Sequence, residues 1–142
     1  MVIDARGRVL LAQSADDRRW ALIAGVMEPG EQPAEAIVRE VYEETAVHVV
    51  VERVTSVFTQ PVHTYANGDR CEYVDIGFRC RVVGGEARVN DDESLAVGWF
   101  ELSDLPPLEQ LSRHRIACAL RPGDAAWFGT PGGTQAGSIA SG

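Results

Sequence analysis

From Pro33 to Val47 the apolar residues Ala34, Ile37, Val38 and Val41 recur three and four apart. That period predicts a helix with one buried stripe, and Pro33 stands near its first position, where a missing N–H does no harm. On either side the period shortens. Val2 to Leu11 holds two apolar runs joined at Ala5-Arg6-Gly7, a hairpin signal. After the polar loop Ser14 to Arg19, Trp20 to Ala24 reads as a short buried strand, with Trp20 as core filler rather than a base-stacking platform. Val47 to Phe58 is rich in β-branched residues and reads as a strand interrupted near Glu52-Arg53. Thr59 to Arg70 carries Pro61 and Asn67-Gly68 and reads as loop and turn.

Cys71 to Val83 alternates, with Glu72, Val74, Ile76, Phe78, Cys80 and Val82 on one face. The other face holds Tyr73, Asp75, Gly77, Arg79 and Arg81, and faces either solvent or a cleft. Gly84-Gly85 marks a turn, Glu86 to Val89 a short strand, Asn90 to Ser94 an acidic loop, and Leu95 to Phe100 a strand. A turn at Ser103 to Pro107 leads into a final helix, Leu108 to Leu120. The folded domain is expected over 1–128. The Gly-, Ser-, Thr- and Ala-rich stretch 129–142 reads as a flexible tail.

Glu40, Glu43 and Glu44 crowd one side of the predicted helix. Like charges at that spacing repel, so they form either a solvated acidic face or a seat for a hard divalent cation such as Mg²⁺. Composition narrows the partners. At −8 the net charge disfavours a nucleic-acid backbone or an anionic membrane as a non-specific partner, although bound cations would still admit a phosphorylated small molecule. Hydrophobic residues at 45% and charged ones at 24% fit an ordinary globular domain. Cys71, Cys80 and Cys118 are odd in number and lack CxxC spacing, so a disulfide framework and a zinc site are both unsupported, and a reducing cytoplasm is expected. No apolar run nears the roughly 20 residues of a membrane span.

Gly25 to Val47, GVMEPGEQPAEAIVREVYEETAV, decides between the two helix readings. Gly25, Glu31, Arg39, Glu40, Val41, Glu43, Glu44 and Val47 stand at the offsets of the Nudix box, so the chain resembles the Nudix (MutT-like) hydrolases. One position departs: Ala46 stands where the box has glycine. A left-handed helix exit there would cost alanine roughly 1 kcal/mol, so a reshaped exit is expected. Weaker likeness extends to about Leu120. The resemblance implies an α/β fold, a Nudix-type α/β/α sandwich around a central mixed β-sheet. Domains of that family usually carry more chain before this point, so further residues of the first strand, or a preceding segment, are expected upstream of Met1.

By that resemblance Glu40 and Glu44 are the principal ligands of Mg²⁺ (Mn²⁺ as the alternative), with the Ala24 carbonyl joining them and Glu43 ligating or orienting a metal. Gly25, Glu28 and Glu31 support the loop, and Arg39 pairs with a carboxylate to fix the geometry. Glu93, with Asp92 as second choice, is a further ligand or general base before the Trp99-Phe100 strand. The catalytic set is therefore Arg39, Glu43, Glu44 and Glu93, with Arg79 and Tyr73 as candidate substrate contacts. The implied reaction is hydrolysis of a nucleoside diphosphate linked to another group. The substrate is a small nucleotide, and nucleotide sugars, dinucleotides and nucleoside triphosphates remain open. A homodimer is allowed for as the commonest soluble assembly. The rival reading is a nucleotide sensor of the same fold that binds without cleaving, which retention of every box carboxylate disfavours.

Overall fold

The computed structural model describes residues 1–129. Apart from Gly129, the tail expected over 129–142 lies outside the described residues. The mixed sheet is built from β1 (Val2–Ile3), β2 (Val9–Ser14), β3 (Trp20–Ala21), β4 (Val47–Thr59), β7 (Val74–Gly85), β8 (Ser94–Phe100) and β9 (Trp127–Phe128). Its path runs β3-β2-β1-β7-β4-β9, with β8 also paired to β2. The β1–β7 and β4–β9 pairs are parallel and the others antiparallel. A separate ribbon pairs β5 (His63–Thr64) with β6 (Arg70–Cys71). Two helices, α1 (Pro33–Thr45) and α2 (Gln110–Leu120), complete the fold.

β2 explains the layering. Its side chains alternate between faces, and Val9, Leu10 and Leu11 are all fully buried, so both faces are covered. Leu10 and Ala12 pack with Val41 of α1, Val49, Phe78 and Cys80. Val9 and Leu11 pack instead with Leu22, Leu108 and Ile116 of α2. Trp20 meets Phe100 edge to face at the margin of this second core, as core filler. Among the described residues no helix is long and apolar enough to cross a membrane.

Several expectations change in the folded chain. β4 is unbroken: register shifts along its pairing with β7, one between Val51 and Arg53, absorb the irregularity as bulges. Gly84 and Gly85 end β7 instead of forming a turn outside it, and 86–90 contain no strand. Val38 is exposed, and its place in the buried stripe goes to Ala36. α2 begins at Gln110, so Leu108 is buried just before the helix. The polar face of β7 meets α2 at Asp75 and Arg79, whereas Arg81 is exposed. Asp75 is buried against Arg115, and Arg79 donates to the Ala119 carbonyl at 3.2 Å.

The exit of α1 is not reshaped. Ala46 adopts the left-handed conformation itself, with φ 58° and ψ 18°, and its N–H donates to the Tyr42 carbonyl at 2.8 Å. Left-handed alanine costs about 1–2 kcal/mol, but glycine here would lose a buried methyl worth about 0.8 kcal/mol and add unfolded-chain entropy of about 0.5–1 kcal/mol. These terms nearly cancel. Ala46→Gly should therefore shift unfolding stability by less than about 1 kcal/mol in urea titrations, whereas the β-branched Ala46→Val should cost more than about 2 kcal/mol.

Candidate active site

The loop into α1 is closed by local chemistry. Pro29 and Gly30 form the centre of a turn in which the Glu31 N–H donates to the Glu28 carbonyl at 3.0 Å, and Gly30 has the positive φ (85°) that its position needs. The Glu28 N–H donates in return to Glu31 Oε2 at 2.9 Å, so Glu28 contributes through its backbone. At the helix start the Glu35 carboxylate accepts the Gln32 N–H at 2.8 Å, half of a capping box that the motif does not announce.

Arg39 ties this loop to the helix, and all of its N–H groups are used. Nε and Nη2 grip both oxygens of Glu31 at 2.8 and 3.0 Å, and Nη2 also reaches the Val26 carbonyl at 3.1 Å. Nη1 bridges Glu40 and Glu43, each at 3.0 Å. A planar fork can hold this arrangement and a lysine ammonium cannot. The Arg39 guanidinium holds the Glu31 carboxyl down at about 2 and is itself held above its ordinary range, first by Glu31. Gly25 lies directly over Glu40, and any Cβ there would collide with the Glu40 carboxyl carbon. Glycine at this position lets the Glu40 carboxylate lie where Arg39 holds it, and a larger residue would displace it.

Glu44 differs from its neighbours. It takes no part in the Arg39 cluster, and burial first, then the charges of Asp91, Glu40, Glu93 and Glu43, raise its pKa to about 8. The acidic segment is brought to it by capping bonds. The Arg88 N–H donates to the Thr45 carbonyl at 3.0 Å, the Asn90 N–H to the Glu44 carbonyl at 3.2 Å, and Asn90 Nδ2 to the Tyr42 carbonyl at 3.0 Å. The first two satisfy open carbonyls at the end of α1, and the third is a second bond to the Tyr42 carbonyl, which already accepts the Ala46 N–H. Asp91 Oδ1 then accepts from the Glu93 and Ser94 N–H groups, both at 3.2 Å, which turns the chain into β8. Glu44, Asp92, Glu93 and Ala24 line one cavity of about 580 Å³. Asp91, whose charge acts most strongly on Glu44, is the carboxylate that the sequence reading missed. Only the proximity of Asp91 to Glu93 could have flagged it.

A second cavity, about 610 Å³, opens on the other side of Ala24 and Gly25, and Glu40 forms part of its wall. Tyr73 borders it and hydrogen-bonds Tyr65 through the two hydroxyls. Arg79 does not line it: its guanidinium is held by Glu52 at 3.4 Å and by the end of α2. His48 stacks on Tyr42 at the surface.

The donors gathered around Ala24 and Glu44 are all hard oxygens, the type that Mg²⁺ and Mn²⁺ take. Among the described residues no three His, Cys, Asp or Glu side chains already stand at metal-binding spacing, and Arg39 engages two of the glutamates. The misfit of charge at Glu44 is nevertheless what a cation would relieve, so the residues fit such a group in kind. The half-buried Glu44 carboxylate, with Glu40, Glu43, Asp91 and Glu93 around it at the wall of a cavity, is an arrangement that could hold a hard cation beside a phosphorylated ligand.

A family profile described as the NUDIX domain matches residues 1–119. A MutT-like protein of Streptomyces ambofaciens is 37% identical over 125 residues, covering 88% of this chain and 72% of that protein. The NAD-capped RNA hydrolase NudC of Pseudomonas putida (strain W619) is 35% identical over 112 residues, or 76% of this chain and 37% of NudC. This chain therefore spans little more than a third of NudC's length. A solved ADP-ribose pyrophosphatase from Streptococcus suis superimposes with a TM-score of 0.70 at 24% identity, covering 90% of this chain and 95% of that one, a likeness of fold. The chain belongs to the Nudix family, hydrolases of phosphoric anhydride bonds that act on nucleoside diphosphate derivatives and in general use divalent metal ions.

Proposed function

We propose that this chain is a divalent-cation-dependent Nudix pyrophosphohydrolase of a small nucleoside diphosphate derivative, using Mg²⁺ with Mn²⁺ able to substitute, and working in the cytoplasm. The observation that carries it is Glu44, half-buried within reach of the charges of Glu40, Glu43, Asp91 and Glu93, with a pKa near 8 and no cationic partner among the described residues. A cluster of that charge is stable in ionised form only with a cation among it. Glu40 and Glu44 would be the main ligands, the Ala24 carbonyl would join them, and Glu43 would ligate or orient.

When bound, the cation neutralises the diphosphate and lowers the pKa of a coordinated water. The residues do the rest. Arg39 keeps Glu31, Glu40 and Glu43 in register, so the carboxylates are ordered before substrate arrives. Glu93 opens into the same cavity as Glu44 and is the group to take the proton of the attacking water. Water adds to one phosphorus, the anhydride P–O bond breaks, and a nucleoside monophosphate leaves together with a phosphorylated remainder. The relative NudC is named for NAD-capped RNA, while the net charge of −8 favours a small substrate here.

The test is incubation with Mg²⁺ and a panel of nucleotide sugars, dinucleotides, nucleoside triphosphates and NAD-capped RNA, with and without chelator, following release of monophosphate. Chelator-sensitive release from one small compound is expected. Metal binding must displace the proton held by Glu44, so apparent Mg²⁺ affinity should rise with pH up to about 8 and level off above it. Turnover that ignores chelator would overturn the reading.

A further inference from the structure

The larger cavity carries chemistry that the carboxylate cluster does not use. Its walls are mostly apolar, including Ile23, Met27, Ile37 and Phe78, and its volume of about 610 Å³ suits a small ligand. Besides Glu40, Thr55, Glu72 and Tyr73, the lining holds one connected polar group: Gln60 just after β4, Asp75 on β7 and Arg115 on α2. Asp75 is only 7% exposed, and its Oδ2 accepts from both Gln60 Nε2, at 2.6 Å, and Arg115 Nη2, while Oδ1 accepts from Arg115 Nε at 3.4 Å.

A carboxylate can only accept, so Gln60 must turn its NH₂ group towards Asp75. That leaves Gln60 Oε1, an acceptor, and Arg115 Nη1, a donor, without a partner among the described residues, on side chains that border the cavity. Asp75 brackets the two and fixes their rotamers. An apolar cavity bordered by an acceptor-bearing and a donor-bearing side chain, both held by one carboxylate, complements a flat heterocycle whose edge offers a donor and an acceptor. The opposite cavity, lined by Asp16, Glu44, Asp92 and Glu93, is too acidic for that role.

We propose that this cavity receives the nucleobase of the substrate, with Gln60 and Arg115 reading its edge and Asp75 acting as a positioning residue. The proposal rests on the nucleotide-hydrolase reading above and deepens it. Ala24 lies in the walls of both cavities, and Gly25 and Glu40 in that of this one, so a diphosphate at the carboxylates has its nucleoside beside this slot.

The experiment compares binding of the four common nucleoside 5′-monophosphates and of ribose 5-phosphate to the full chain with Mg²⁺, by calorimetry. The wild-type protein should bind at least one monophosphate about tenfold more tightly than ribose 5-phosphate, the scale of one well-made polar recognition. Gln60→Leu, which leaves the Asp75–Arg115 pair in place, should erase that margin while ribose 5-phosphate affinity stays the same. Arg115→Met, used where near-ultraviolet circular dichroism remains native, should change the ranking of the bases. Equal binding of all probes by the wild type, or a Gln60→Leu loss shared by ribose 5-phosphate, would sink the proposal. Base-dependent binding without hydrolysis would sink the enzymatic reading and leave this pocket standing. Hydrolysis with base-independent binding would do the reverse.

Discussion

Glu44→Gln should lower turnover by about 10²- to 10³-fold and at the same time make the metal-free protein more stable at alkaline pH. The two effects share a cause. Without a cation the Glu44 carboxyl is held at about 8, against an ordinary value of 4.5, chiefly by burial and by Asp91. Below 4.5 the group is protonated whether folded or not and does not oppose folding. As pH rises from 4.5 to 8 the unfolded chain gives up the proton and the folded chain keeps it, so stability falls through that window and stays lower above it. Glutamine is neutral throughout, so its melting temperature should be flatter over that range and higher at pH 9. The Mg²⁺-induced rise in melting temperature should vanish in the same variant. Near-normal turnover in Glu44→Gln would remove Glu44 from the metal site, and an unchanged pH profile of melting would show that its charge is relieved by other means.

Arg39→Met should cost about 10- to 100-fold in activity, the scale seen when a group that orients metal ligands is removed. The loss should appear in apparent Mg²⁺ affinity as well as turnover, because Glu40 and Glu43 lose the guanidinium that aligns them. Arg39→Lys should recover little, since an ammonium cannot span Glu31, Glu40, Glu43 and the Val26 carbonyl together. Here the acid side is diagnostic. Glu31 is held at about 2 by Arg39, so its contribution to stability is present above the ordinary value of 4.5 and fades as pH falls through 2. The gap in melting temperature between wild type and Arg39→Met should thus be widest near neutral pH and close between 4.5 and 2. A gap that is constant with pH would mean that Arg39 acts by packing alone.

Where sequence reading succeeded, the signal was local. The helix that begins at Pro33 was legible because a fixed period within 13 residues encodes it. Where it failed, the reason lay in what met the residue. Arg79 and Asp75 share one face of β7 and looked equivalent by alternation, yet one is taken up by Glu52 and the end of α2 and the other by Arg115 and Gln60. β9, two residues paired in parallel to β4, is too short to carry a detectable period. Ala46 shows the opposite case. Propensity argued for a different exit, and burial of the Val47 strand against β7 held the left-handed conformation regardless.

From the amino-acid order alone came the family, the carboxylates Glu40, Glu43 and Glu44 on one helix, and a sheet with apolar faces to cover, because helix and strand periods are properties of neighbouring residues. The tertiary structure alone decided that, of the three helix glutamates, Glu44 has no cationic partner among the described residues, that Arg88 and Asn90 cap the end of α1, and that Gln60, Asp75 and Arg115 meet beside a cavity. Those outcomes depend on burial and on partners 15 to 48 residues apart, and both are created only when the sheet closes between its two helices.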